Sequence, residues 1–240
     1  WFYTLMLLMI LIMFPLLLIS TSSNRFYTMY FFLARTWGKV VLYGMGFYPS
    51  VEAEEYMDKK KSYVLIANHT SMTDIMLMLT VMKNPFVFVG KKELARFPVF
   101  GFFYKKTSIM VDRSSAASRQ QAYKEAQQRL KQEVSIGILP EGAVPEPTVF
   151  LDRFKDGAFR LAIEHQVPIV PITFADNKRR FPYEGLFSGS PGKMRVKIHR
   201  FIPTASLTLV NRQHLRDTAR AVIYEQLLAF REEAKEKNRS

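Results

Sequence analysis

The chain has 240 residues, enough for one domain of good size plus appendages, and no cysteine, which excludes a disulfide framework and any thiolate-bound metal. Lys and Arg number 34 against 21 Asp and Glu, a formal charge of +13, so the expected partner is anionic. With 48% hydrophobic residues and no helix-turn-helix, zinc-finger or ribonucleoprotein pattern, that partner is membrane lipid or a phosphorylated substrate rather than nucleic acid.

Residues Trp1 to Ile19 are almost wholly apolar and carry no charge. At about 1.5 Å per residue such a segment is long enough to cross or enter the hydrocarbon core of a bilayer. A cleaved signal peptide is the rival, but its basic head is absent and the run exceeds the usual apolar signal core. The chain opens on Trp1 rather than Met, which points to a processed start. Arg25, Arg35 and Lys39 follow, and the positive-inside tendency then puts the rest on the cytoplasmic side, with a bacterial inner membrane as the expected location. Asn24 to Gly46 carries Phe26, Tyr27, Tyr30, Phe31, Phe32, Leu33 and Trp37 among basic residues. It reads as a helix lying in or on one leaflet, the other reading being a core helix packed on the domain. Residues 1–50 are thus expected to form a helical membrane-anchoring unit, Glu52 to Lys61 a charged connector, and residues 62–240 a second domain.

That domain opens with Val64 to Ala67 as a short buried strand, Asn68 to Thr73 as a polar turn, and Ile75 onward as an apolar helix. His69 and Asp74, five apart, share no face of one helix, but a histidine before the helix can fold onto a carboxylate in its first turn. Such a pair suits acid-base chemistry, although a His beside an Asp is more often a capping or surface pair. Phe86 to Val89 reads as a strand leading to Gly90 and Lys91-Lys92. Phe97 to Tyr104 reads either as irregular core or as one wall of an acyl-chain groove. Ser108 to Val111 is a strand that sets down Asp112-Arg113. Ala116 to Val134 is an amphipathic helix with Tyr123, Ala126 and Leu130 on one face. Ser135 to Leu139 is a strand running into Pro140-Glu141-Gly142. Asp152 to His165 is a helix with Phe154, Ala158, Leu161 and Ala162 along one stripe, and at its end the dipole would favour a charged His165. After a strand over Val167 to Phe174, Asn177 to Arg180 is a basic loop for lipid headgroups or plain solvent. Met194 to Ile202 is a last strand with Val196 and Ile198 inward, and Arg212 to Lys237 a long amphipathic helix. Strands alternating with helices predict an α/β class, a central mostly parallel or mixed sheet flanked by helices.

Four of these stretches, in order, resemble the glycerolipid acyltransferases, in particular the 1-acyl-glycerol-3-phosphate acyltransferases. Asn68-His69 with Asp74 is similar to that family's His-x4-Asp block. Gly90-Lys91-Lys92-Glu93-Leu94 with Pro98, Gly101 and Asp112-Arg113 is similar to its second block, Leu139 to Gly142 to its third, and Val167 to Ile172 to its fourth. The resemblance covers residues 63 to 173. It implies transfer of a fatty acyl group from an acyl thioester, of coenzyme A or acyl carrier protein, to the sn-2 hydroxyl of 1-acyl-glycerol-3-phosphate, with no cofactor and no metal. It makes His69 the general base, oriented by Asp74, with backbone N–H groups near the helix start steadying the oxyanion. It makes Lys91, Lys92, Arg96 and Arg113 acceptor-binding cations, and gives Glu141 and Gly142 to the acceptor as well. Ser71 is more simply a helix cap than a nucleophile. One departure stands out: the family continues Pro-Glu-Gly with Thr-Arg-Ser, and here Ala143-Val144-Pro145 follows. Val144 in place of the arginine admits a phosphate-free acceptor such as a lyso-aminolipid. Outside this frame stand a non-catalytic anionic-lipid-binding membrane protein, and a lipid-ester hydrolase, for which a Gly-x-Ser-x-Gly elbow is lacking.

Overall fold

The computed structural model describes residues 1–183 and 189–237. Helices α1 (Phe2–Ser20) and α2 (Tyr27–Gly44) form an antiparallel hairpin, pinned where the Trp1 indole donates to Gly44 O and the Trp37 indole to Met6 O. Then come β1 (Phe47–Ala53), β2 (Val64–Ala67), α3 (Thr73–Val81), β3 (Phe86–Lys91), α4 (Phe100–Thr107), β4 (Ile109–Val111), α5 (Ala116–Lys131) and β5 (Ser135–Ile138). The chain continues through α6 (Gly157–His165), β6 (Ile169–Phe174), the short α7 (Asn177–Arg180), β7 (Gly192–Ile198) and α8 (Arg212–Lys237). Among the described residues the strands form one seven-stranded sheet in the order β1-β7-β6-β2-β5-β3-β4. All neighbours pair in parallel except β6 and β7.

Central strands β2 and β6 are buried at every residue, as expected of parallel strands covered on both faces by helices. The pleat splits β2 by alternate residues: Leu65 and Ala67 face one core with Trp37, Val41 and Leu77, while Val64 and Ile66 face another with Ala158, Leu161, Ala219 and Ile223. The α/β class and flanked central sheet agree with the sequence expectation, and the antiparallel β7 makes the sheet mixed.

Several local expectations need correction. Helix α2 is a core helix on its inner face, with Phe31, Leu33, Trp37, Val41 and Leu42 buried; Phe32, 65% exposed, points the other way. Arg35, counted among the juxtamembrane charges, turns inward to donate to Leu79 O and Thr80 O at the end of α3. Strand β1 occupies ground read as the end of the anchor and the charged connector. It pairs in register with β7, and its Glu52 meets Lys197 there, so the charge belongs to an edge strand. The Phe97–Tyr104 stretch is largely helix α4, entered through Val99 at φ 62°. In α5 the buried face is Ala122, Ala126 and Leu130, and Tyr123 instead donates from its hydroxyl to Glu164. Helix α6 begins only at Gly157, though Phe154, Ala158, Leu161 and Ala162 are all buried as expected. His165 at its end is pushed toward the neutral form, by burial first and Lys131 second, which overrides the dipole.

Candidate active site

Strand β2 ends at Ala67 in the middle of the sheet, and the next residues form the turn that opens α3. Fully buried Asn68 clasps the end of β6 in both directions: its Nδ2 donates to Phe174 O at 3.0 Å, and Phe174 N donates to its Oδ1 at 2.8 Å. His69 follows, with Nδ1 2.7 Å from Asp74 Oδ2 and 15% of its side chain exposed, while Asp74 is wholly buried. The five-residue spacing closes because His69 precedes α3 and Asp74 sits in its first turn. Oδ2 also accepts from the N–H groups of Thr70 at 2.7 Å and Ser71 at 2.9 Å, and Oδ1 from Asn177 Nδ2 at 2.6 Å. A carboxylate so surrounded is fixed and charge-compensated. It holds the imidazole with the Nδ1 proton toward itself and leaves Nε2 as the nitrogen able to accept a proton.

Ser71 is buried, donates to Phe181 O at 2.6 Å and accepts from Thr73 N at 3.2 Å, which makes it a tie within the turn. The N–H groups of His69, Thr70, Ser71, Thr73 and Asp74 all have acceptors inside the protein. The expected oxyanion donors at the helix start are therefore already engaged.

Glu141, expected at the acceptor, is tied to the catalytic turn. It is 3% exposed; Oε1 accepts from His69 N at 2.6 Å and Oε2 from Asp152 N at 2.9 Å, so the carboxylate latches the β5 turn to the histidine. Burial pushes its pKa up, and the two N–H donors oppose that. Gly142 turns the chain at φ +84°, a conformation costly for a side chain, and a Cβ there would come within 2.6 Å of Lys155 Nζ. Lys155, which sequence reasoning passed over, thus holds an exposed ammonium against the Pro-Glu-Gly turn. Of the expected cations, Lys91 ends β3, and Lys92 and Arg96 lie exposed on the 3-10 turn after it. Arg113 follows β4, is partly buried beside Tyr104, and forms no ion pair among the described residues. Glycine at position 90 lets α4 close on β3: a Cβ there would collide with the Tyr104 hydroxyl, which donates to Lys91 O.

Asn177, His69, Glu141 and Arg113 follow β6, β2, β5 and β4, and Lys91 is the last residue of β3; these strands are five parallel neighbours, so all lie along the C-terminal edge where open α/β sheets bind ligands. At about 4.8 Å per strand, the start of the β4 loop stands about 14 Å from that of β2, a gap that the long arginine side chain can narrow. The basic loop Asn177 to Arg180 is instead a short helix whose exposed or half-exposed cations bond within the protein: Lys178 donates to Pro147 O, Arg179 pairs with Asp176, and Arg180 donates to Pro191 O and Lys193 O. Among the described residues no cluster of His, Asp and Glu fit for a metal is found.

A model of the Acyltransferase family matches residues 49–175, more than half of the chain. The chain belongs to the acyltransferase family. This acyltransferase is 28% identical over 198 residues to a putative 1-acyl-sn-glycerol-3-phosphate acyltransferase of Caenorhabditis elegans, covering 80% of this chain and 69% of that protein. It is 29% identical over 192 residues to mouse 1-acyl-sn-glycerol-3-phosphate acyltransferase alpha, covering 79% and 66%, and 32% identical over 164 residues to an uncharacterized acyltransferase of Schizosaccharomyces pombe, covering 66% and 57%. The chain thus spans about six to seven tenths of the length of these relatives. The fold is that of the crystal structure of the 1-acyl-sn-glycerophosphate acyltransferase from Thermotoga maritima, with a TM-score of 0.80 at 22% identity over 96% of this chain and 93% of that one.

Proposed function

We propose that this acyltransferase moves a fatty acyl group from an acyl thioester to the sn-2 hydroxyl of 1-acyl-glycerol-3-phosphate, giving phosphatidic acid. The observation that carries the reading is the His69–Asp74 pair, a buried, four-donor carboxylate holding a part-exposed imidazole at 2.7 Å. The names of the C. elegans and mouse relatives favour this acceptor. In the step, His69 Nε2 takes the hydroxyl proton as the oxygen attacks the thioester carbonyl. The new C–O bond forms, the tetrahedral oxyanion collapses with loss of the C–S bond, and the departing thiolate takes the proton from the imidazolium. A thioester is already activated, so this sequence needs no enzyme nucleophile. The donor is the thioester of coenzyme A or of acyl carrier protein, and offering each in turn tells which.

Val144 supplies no cation for the acceptor's phosphate, so that charge falls to Lys91, Lys92, Arg96 and Arg113, and to Lys155 beside Gly142. Helix α1 is long and apolar enough to cross a membrane, yet its Phe2 packs on Phe181 and its Phe14 on Phe103, so it runs along the domain. Its outer face, Leu7, Leu8, Leu11, Ile12, Leu16 and Ile19, is 47–63% exposed, a stripe suited to one leaflet with the catalytic edge close to the headgroups. The exposed Arg25 and Lys39 suit the cytoplasmic leaflet of the membrane.

Arg113→Ala is expected to raise KM for lysophosphatidic acid at least about tenfold, the size of a charge-assisted contact. The substitution at Val144 favours one other reading, an acceptor without phosphate. Turnover of a phosphate-free lyso-aminolipid by the wild type, with Arg113→Ala changing neither acceptor's KM, would establish that reading instead.

A further inference from the structure

Three side chains of the catalytic turn reach across to a single segment more than a hundred residues later. Asn68 grips Phe174, Ser71 Oγ donates to Phe181 O, and Asp74 Oδ1 accepts from Asn177 Nδ2 at 2.6 Å, the shortest of the carboxylate's four bonds. The first two links end on backbone and serve to fasten the turn. The third ends on the carboxylate that holds His69. Asn177 is wholly buried, and its own Oδ1 has no hydrogen-bond partner. An amide placed only to satisfy itself would use both ends; this one spends its donor on Asp74 and leaves its acceptor orphaned. The opposite amide orientation would set oxygen against oxygen, so an ionised Asp74 dictates the rotamer.

The helix carrying Asn177 is held independently of that bond. Asp176, its N-cap, accepts from Arg195 of β7 through Nε, Nη2 and the backbone N, at 3.0, 3.0 and 2.9 Å. Asn177 therefore arrives at Asp74 on a clamped support.

We infer that Asn177 is a positioning residue for the acyl transfer, the third member of a His69–Asp74–Asn177 array in which its amide fixes the free oxygen of the carboxylate and sets how strongly that carboxylate draws on the imidazole. The inference rests on the proposed role of His69 as base. Without the amide, the charge on the carboxylate is less spread by hydrogen bonding, so Asp74 draws an imidazolium on His69 more strongly and the neutral base appears later as pH rises. The other ionisable groups nearby are Glu141, across the β5 turn, and Asp176, which faces Arg195 and Arg179.

The test compares full-length wild type, Asn177→Leu, Asn177→Ala and His69→Ala in detergent, with a long-chain acyl-CoA and lysophosphatidic acid, across pH. Asn177→Leu keeps the branched shape and loses the donor. It is expected to lower kcat roughly tenfold to a hundredfold, leave both KM values within about twofold, and move the acid limb of the kcat/KM profile up by about one pH unit. If the leucine variant fails to fold by circular dichroism, Asn177→Ala is expected to move the same limb in the same direction by less. An acid limb unmoved in the folded variant, whatever happens to kcat, overturns the inference, because a merely structural side chain would lower the active fraction without changing the titration. His69→Ala separates the two levels. If it is inactive while the Asn177 limb stays put, only the inference falls; if it remains active, the reading beneath it falls.

Discussion

At the scale of the residue, the site consists of one imidazole and the groups that keep it still. Glu141, read as a ligand for the acceptor, has a structural task as well: its two oxygens accept from the N–H groups of His69 and Asp152. Glu141→Gln replaces one acceptor oxygen by a donor facing a buried N–H. Thermal melting is expected to report a loss of about 2 kcal/mol, and kcat to fall with it, because His69 loses its anchor; an unchanged melting point would mean that the latch carries no load. The His69–Asp74 pair was legible because strand, turn and helix start lie within eleven residues. Asn177 was not, since its partner stands 103 positions away and nothing local marks it. The one available hint was positional: a polar residue just beyond a central parallel strand falls on the same edge as the others.

At the scale of the element, burial decides what patterning leaves open. The aromatic α2 looks amphipathic in either setting, and only its contacts with α3 and the sheet show which face is core. Strand β1 was hidden because Pro49 fell in the stretch read as anchor and Glu52 and Glu54 in that read as a charged connector; in the structure Lys197 of β7 pairs with Glu52 in β1 and with Glu54 just past its end. Helix α1 is the element whose role is most directly testable. A paired change of Leu11→Glu and Ile12→Glu, both on the exposed face, places charges at a cost of about 2.5 to 3.5 kcal/mol each in hydrocarbon. Vesicle flotation should show at least about tenfold less bound protein, with activity on dispersed short-chain acceptor largely kept. Unchanged flotation would show that the stripe does not enter the bilayer.

At the scale of the molecule, five parallel strands present one edge, and every candidate site residue ends one of them or lies in the segment beyond it. The sheet was legible because its middle strands are unbroken apolar runs bounded by polar turns, whereas its order was not, since the neighbours of β2 are β5 and β6 rather than β1 and β3. Its stability should carry a signature from His199, which sits beyond the end of β7 with Nε2 2.8 Å from Thr173 Oγ1 of β6. Burial lowers its pKa to about 4 from an ordinary 6.5. The unfolded chain then takes up a proton that the folded one refuses, so stability present above pH 6.5 is lost as pH falls toward 4, by at most about 3 kcal/mol. Melting curves between those pH values should fall less steeply for His199→Gln; parallel slopes would contradict this. The central claim, that His69 is the base of a thioester-to-hydroxyl acyl transfer, is tested most directly by following free thiol and phosphatidic acid together for wild type and His69→Ala supplied with acyl-CoA and lysophosphatidic acid. The account predicts one thiol per phosphatidic acid from the wild type and a loss of both by about 100-fold to 10,000-fold in a folded His69→Ala protein. Thiol released without phosphatidic acid, or more than about a tenth of wild-type turnover in that variant, would contradict it.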